Sequence, residues 1–185
     1  SGNSRFDRWY FGSEKDALTV SEQSGFSIFT GKGGCSNCHE IGKTSALFTD
    51  QKFNNTGIGY RAVMKADEML TVPLAPGVEV KIERSEIDAV SETLKNDIGR
   101  FAISHRPEDR WAYKTPSLRN VSRTFPYMHD GSIPTLEAVV EYYNKGGVPN
   151  DALSAKIRPL GLSEAEKKDL VAFLKSLDGD DVEHR

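Results

Sequence analysis

Cys35-Ser36-Asn37-Cys38-His39 decides how this chain is read. Two thiols three residues apart, followed at once by an imidazole, form the attachment pattern of a c-type haem. On one helical turn both sulfurs reach the two vinyl groups of the porphyrin, and the next residue swings its ring onto the iron. These are the only two cysteines among 185 residues, and the chain has four histidines. With cysteines placed at random, this spacing followed by histidine arises about two times in ten thousand, so coincidence is a poor account. A zinc site would need further ligands, and no second cysteine pair exists. A thioredoxin-like dithiol would follow a strand in a β-α-β pattern, which is missing. The expectation is one covalent haem c, anchored by Cys35 and Cys38, with His39 as proximal iron ligand. Thioethers of this kind form outside the bacterial cytoplasm, so the expected compartment is the periplasm.

The flanking sequence reads as helices joined by long loops. Thr19 and Glu22 form a capping box ahead of Phe26, Ile28 and Phe29, with Gly31 as a stop. Ser163 and Glu166 form a second box, opening a helix that carries Leu170, Phe173, Leu174 and Leu177. Thr135 caps a stretch running Leu136 to Asn144, closed by Gly146-Gly147, and Ser85 to Lys95 shows weaker helical spacing. Pro73 and Pro76 break the chain before Val78, Val80 and Ile82, which predict one short strand, half of a small hairpin. Loops are expected over much of 40–60 and 97–117. So much loop around few helices suits a porphyrin as part of the core.

Composition narrows the function classes. Lys plus Arg is 24 and Asp plus Glu is 27, a net charge of −3, which argues against nucleic acid as a main partner. The longest unbroken apolar run, Leu170 to Leu174, is far too short to span a bilayer. The first residues show no basic-then-apolar signal pattern, so a mature form or the inside of a longer protein is expected.

Function then turns on the sixth iron position: a weakly held site allows peroxide chemistry, a strong ligand restricts the iron to electron transfer. Met64 and Met69 lie in a charged stretch and read as gap-fillers. Met128 and His129 lie in Pro126-Tyr127-Met128-His129-Asp130-Gly131, and Tyr142 and Tyr143 end the following helix. His105 and His184 read as surface residues. Side-chain chemistry alone leaves Met128, His129 and the two tyrosines level. Arg100, Lys114 and Arg119 are candidates for pairing with haem propionates, because buried carboxylates want cations. His129 and Asp130 are candidates for a domain interface or a hydrogen-bond path toward the haem.

The chain resembles the C-terminal haem domain of bacterial di-haem cytochrome c peroxidases and their relative MauG. The resemblance rests on Gly2 to Arg8, on Gly25 to Phe29 running into the haem motif, on Phe53-Asn54-Asn55-Thr56-Gly57, and on Asp97-Ile98-Gly99-Arg100. It continues through Lys114 to Val121, Pro126 to Ser132, Tyr143 to Gly147 and Leu160 to Ser163. It implies a mainly α fold, a class I cytochrome c-like haem domain with long loops and a small β insertion. Residues 1–185 would form a single domain, with 1–18 as linker from an absent N-terminal haem domain and 61–96 as insertion. The family carries its sixth ligand at the end of the helix after the His-Asp-Gly loop, methionine in the peroxidases and tyrosine in MauG-like members. That favours Tyr143, with Met128 second and Tyr142 one residue away. It also implies a partial calcium site built from the Thr124 and Pro126 carbonyls, completed by the other domain.

Two haem motifs are the family pattern and this sequence has one, so the chain is expected as a fragment or as one chain of a split protein. The implied partners are an N-terminal haem domain or second chain, a small electron-donor protein, and hydrogen peroxide at the partner haem. The first functional expectation is the electron-relaying haem of a di-haem oxidoreductase. The alternative is a free-standing mono-haem electron-transfer cytochrome without peroxidase activity, and a dithiol or metal-binding protein without haem is the remote third.

Overall fold

Both capping boxes written in the sequence open helices. In the computed structural model, which describes residues 2–66, 69–75, 78–83 and 97–179, the Thr19 hydroxyl accepts from the Glu22 N–H (3.3 Å) and the Glu22 carboxylate accepts from the Thr19 N–H (2.8 Å). Ser163 and Glu166 repeat the arrangement at 3.3 and 2.7 Å. Each pair satisfies two backbone donors that a helix start otherwise leaves without partners. The helices are α1 (Arg5–Tyr10), α2 (Val20–Thr30), α3 (Ile58–Ala66), α4 (Phe101–Ser104), α5 (Leu136–Asn144) and α6 (Glu164–Lys175). Strands β1 (Phe53–Asn54) and β4 (Tyr113–Lys114) pair, and β2 (Met69–Ala75) pairs antiparallel with β3 (Val78–Glu83). The described chain is thus mostly helical with small sheets. Among the described residues no helix is long and apolar enough to cross a membrane.

Two compact units emerge. The first comprises Ser1–Phe53, Lys114–Gly147 and Ala155–Arg185. Its centre is the contact of α2 with α6, and Gly25 is what allows it. A Cβ at Gly25 would stand 2.0 Å from the Asp169 backbone oxygen and 2.7 Å from the Phe173 Cβ. Phe6, Phe29, Phe48 and Phe173 are each at most 1% exposed. Phe6 touches Phe48 and Phe173 at centroid distances of 5.1 and 5.8 Å, and Phe29 touches Phe173 at 5.1 Å. Burying each such side chain contributes about 2–3 kcal/mol.

The second unit comprises Asn54–Tyr113 and Val148–Ser154. Asn55, buried, organises it: its amide donates to the Arg110 carbonyl (3.0 Å) and to the Asn150 Oδ1 (2.9 Å), and its Oδ1 accepts from the Gly57 N–H (2.8 Å). The Tyr60 and Trp111 rings meet edge-on at 5.0 Å.

Several sequence expectations change. The 1–18 stretch, expected as a linker, carries α1, whose own capping box pairs Ser4 with Asp7. Pro73, expected to break the chain, lies inside β2 beside a register irregularity. A proline is tolerated there because a two-stranded ribbon leaves an outer edge that needs no N–H. The strand at Val78 does form half of a hairpin, as its alternation indicates. Helix α3 occupies part of the expected 40–60 loop, since Gly57-Ile58-Gly59 offers no cap residue to announce it. The helix expected over Ser85 to Lys95, and His184, lie outside the described residues.

Candidate haem site

Gly34 adopts the left-handed conformation (φ 60°) and starts a 3-10 turn over Cys35–Asn37. The Cys38 and His39 N–H groups both donate to the Cys35 carbonyl, at 3.2 and 2.9 Å. Cys35, Cys38 and His39 therefore leave a single turn, the placement that two thioethers and an axial imidazole require. Both thiols are free. Burial pushes the Cys35 thiol up to about 12 and raises Cys38 above the ordinary thiol value, despite the nearby Lys156 charge. A redox-active dithiol shows the opposite, a depressed thiol. Among the described residues no group of three or more His, Cys, Asp or Glu side chains is placed to hold a metal ion.

His39 is oriented by backbone. Its Nδ1 lies 2.8 Å from the Phe48 carbonyl oxygen, which can only accept, so Nδ1 carries the proton and Nε2 is left as the ligating nitrogen. Burial holds the imidazole below the ordinary histidine value, opposed by the Phe48 carbonyl, the Asp50 charge and the Pro116 backbone. The ring is thus neutral near pH 7, as a ligand must be. Lys156 braces the turn from outside, donating to the Asn37 carbonyl (2.9 Å) and lying 3.4 Å from Asp50.

The Phe48 carbonyl is itself held by the segment 115–119. Arg119 Nε donates to the Ala46 carbonyl, Ser117 Oγ to the Leu47 carbonyl, and Thr49 Oγ1 to the Thr115 carbonyl, each at 2.7 Å. Arg119 is expected at a haem propionate; in this structure its side chain meets protein groups. Its Nη1 and Nη2 donate to the two Asp7 carboxylate oxygens at 2.6 Å each, and Nη1 also reaches the Ser4 hydroxyl at 3.2 Å. The fork is filled by a protein carboxylate, the geometry it matches best. Arg100 belongs to the second unit, where its Nε donates to Asp109 at 3.1 Å. Lys114 is exposed.

Candidate sixth ligands fall in the first unit. Tyr142 and Tyr143 end α5, half-buried, with rings edge-on at 5.6 Å. The helix end is latched by Asn144, whose Oδ1 accepts from the Leu162 N–H (2.8 Å) and whose Nδ2 donates to the Leu162 carbonyl (3.3 Å). Gly146 follows at φ 84°, with Pro159 where a Cβ would stand, 2.7 Å away. Met128 is half-buried at φ 73°, and His129 and Asp130 are exposed, Asp130 accepting from the Ser132 N–H at 3.0 Å. Thr124 and Pro126 sit on an exposed loop. Met64 and Met69 belong to α3 and β2.

No protein-family model matches the chain. The cytochrome-c peroxidase IdrP2 of Denitromonas iodatirespirans is 38% identical over 180 residues, 97% of this chain and 45% of that protein. The methylamine utilization protein MauG of Methylorubrum extorquens is 37% identical over 179 residues, 96% of this chain and 40% of that protein. The chain belongs to the cytochrome c peroxidase and MauG family.

It matches the C-terminal half of these cytochrome c peroxidase and MauG relatives and spans less than half of their length. A MauG-like protein associated with microbial copper homeostasis superposes with a TM-score of 0.68 at 28% identity, over 97% of this chain and 53% of that one. The diheme peroxidase BthA of Burkholderia thailandensis shares the fold, with a TM-score of 0.63 at 20% identity over 96% of this chain and 46% of that one. Relatives in the cytochrome c peroxidase and MauG family are oxidoreductases with haem c, and the Cys35–His39 turn fits that group. What the sequence reading of this family member missed is the support beneath His39: Phe48 and Asp7. The Ser4-x-x-Asp7 spacing announces a capping box, but nothing local announces that Asp7 also receives Arg119.

Proposed function

We propose that this chain holds one haem c in a class I cytochrome c-like domain and acts as the relay half of a di-haem oxidoreductase. Its partner, an N-terminal haem domain or a second chain, carries the haem that reacts with hydrogen peroxide. The observation that carries the reading is the single turn that presents Cys35, Cys38 and His39, with the His39 Nδ1 proton already committed to Phe48. When bound, the haem supplies a one-electron redox centre. Cys35 and Cys38 hold it, His39 Nε2 binds its iron, and Phe48 and the 115–119 segment keep the imidazole aimed. The mostly helical unit with α2 packed on α6 supports the cytochrome-like fold.

Tyr143 is the proposed sixth ligand, with Met128 as alternative and Tyr142 adjacent. The support is its place at the last turn of α5, beside the Asn144 latch. A phenolate lowers the reduction potential, whereas a thioether raises it. Coordination would have to pull the phenol well below its free value near about 10. The proposal includes a periplasmic location, a small electron-donor protein, and calcium held in part by the Thr124 and Pro126 carbonyls, whose exposed loop leaves oxygens for a hard cation.

The test is maturation in a host able to attach c-type haem, followed by a pyridine haemochrome assay. A covalent band at one haem per chain is expected; a colourless polypeptide overturns the reading. Tyr143→Phe should change the ferric spectrum, and a methionine-to-iron charge-transfer band in the wild type would remove Tyr143 from the role. A second reading is a mono-haem electron-transfer cytochrome, a role the Cys35–His39 turn would serve by itself. One haem in the native gene product, with no peroxide turnover, would establish it over the first.

A further inference from the structure

The proximal histidine is aimed by a carbonyl that the chain presents in a costly conformation. Phe48 has φ 53°, left-handed for a bulky residue, and is fully buried. Such a backbone persists only where its surroundings over-determine it. Three side-chain bonds do so, at Ala46, Leu47 and Thr49, one on each residue around Phe48 that is not occupied by His39 itself. Arg119 is the strongest of these anchors. It donates to the Ala46 carbonyl and lies over the Phe48 ring, its guanidinium carbon 5.2 Å from the centroid. Both ends of the Arg119–Asp7 ion pair are nearly enclosed, with side-chain exposures of 9% and 7%. Asp7 is in turn fixed by the α1 capping box, its Oδ2 accepting from the Ser4 N–H at 3.0 Å.

We infer that Arg119, locked by Asp7, is a positioning residue for the proximal ligand: it holds the 46–49 turn so that the Phe48 carbonyl keeps the His39 Nδ1 proton. The inference rests on the haem reading above. Its physical content is a chain of three links. Asp7 fixes the guanidinium plane, the guanidinium fixes the turn, and the turn fixes the acceptor of the imidazole N–H. A lysine cannot substitute, because its single nitrogen cannot span the planar fork in which Nε reaches Ala46 while Nη1 and Nη2 each take one Asp7 oxygen. Losing the acceptor makes the imidazole a poorer donor to ferric iron and raises the reduction potential, as outer-shell partners of metal-ligating histidines do elsewhere.

The experiment uses the haem-loaded protein and two charge-conserving variants, Arg119→Lys and Asp7→Glu, so that net charge near the iron stays constant. Covalent haem is measured by pyridine haemochrome, folding by far-UV circular dichroism and melting, and the potential by spectroelectrochemistry. The expected result is an upward potential shift of about tenfold in the reduction equilibrium constant, about 59 mV. It should come with altered hyperfine-shifted imidazole resonances. A melting temperature that falls while potential and resonances stay at wild-type values would overturn the inference and leave Arg119 as scaffold alone. If Arg119→Lys does not fold, Asp7→Glu decides by the same readouts. Absence of covalent haem in the wild type would instead defeat the haem reading itself, so the two failures are distinct.

Discussion

Asp7 does two jobs with one carboxylate. It closes the capping box of α1 and receives both arms of Arg119. Burial by itself would raise its carboxyl, but the hydrogen bonds from Arg119 and Ser4 and the Arg119 charge outweigh it and hold the group below the ordinary value. A depressed carboxylate adds stability that is complete above its unfolded-state pKa, about 3.9, and is lost as pH falls through the lower folded-state value. Asp7→Asn is therefore expected to melt lower at neutral pH, and to lose less than wild type on acidification from about pH 5 downward. Parallel melting curves against pH would contradict this. Cys38→Ala should leave at most one thioether, read as a shifted haemochrome band. Cys35 and Cys38 were legible as a pair because covalent attachment imposes local spacing. Phe48 was not, because its role lies in a carbonyl, which every residue has.

Capping chemistry made most elements readable. Thr19, Ser163 and Thr135 each accept from the N–H three residues on, as their spacing indicates. Thr19→Ala should lower stability by about 1 kcal/mol in thermal or denaturant unfolding. The contact of α2 with α6 is harsher ground. Gly25→Ala puts a methyl against the Asp169 backbone oxygen, which cannot turn away as a flexible side-chain tip could. A loss of about 3 kcal/mol is expected, at the upper end of overpacking effects. A melting point unchanged from wild type would show that the two helices separate freely. Helix α3 and the tolerance of Pro73 in β2 went unread for complementary reasons. The first has glycine, with no side chain to signal a cap, directly before it, and the second is tolerated on the edge of a two-stranded ribbon.

Across the molecule, the haem motif and the helix starts are properties of short stretches. Cap spacing and thiol spacing act over a few residues, so the sequence determined them unaided. Tertiary structure decided what reaches across the chain. Arg119 meets Asp7 over 112 residues, and Ser117 meets Leu47 over 70. An arginine beside a cofactor motif suits a propionate and a protein carboxylate equally well until the fold brings one of them to it. The partner of a charge is set by which chain segments pack together, and packing depends on the summed burial of residues far apart in the sequence.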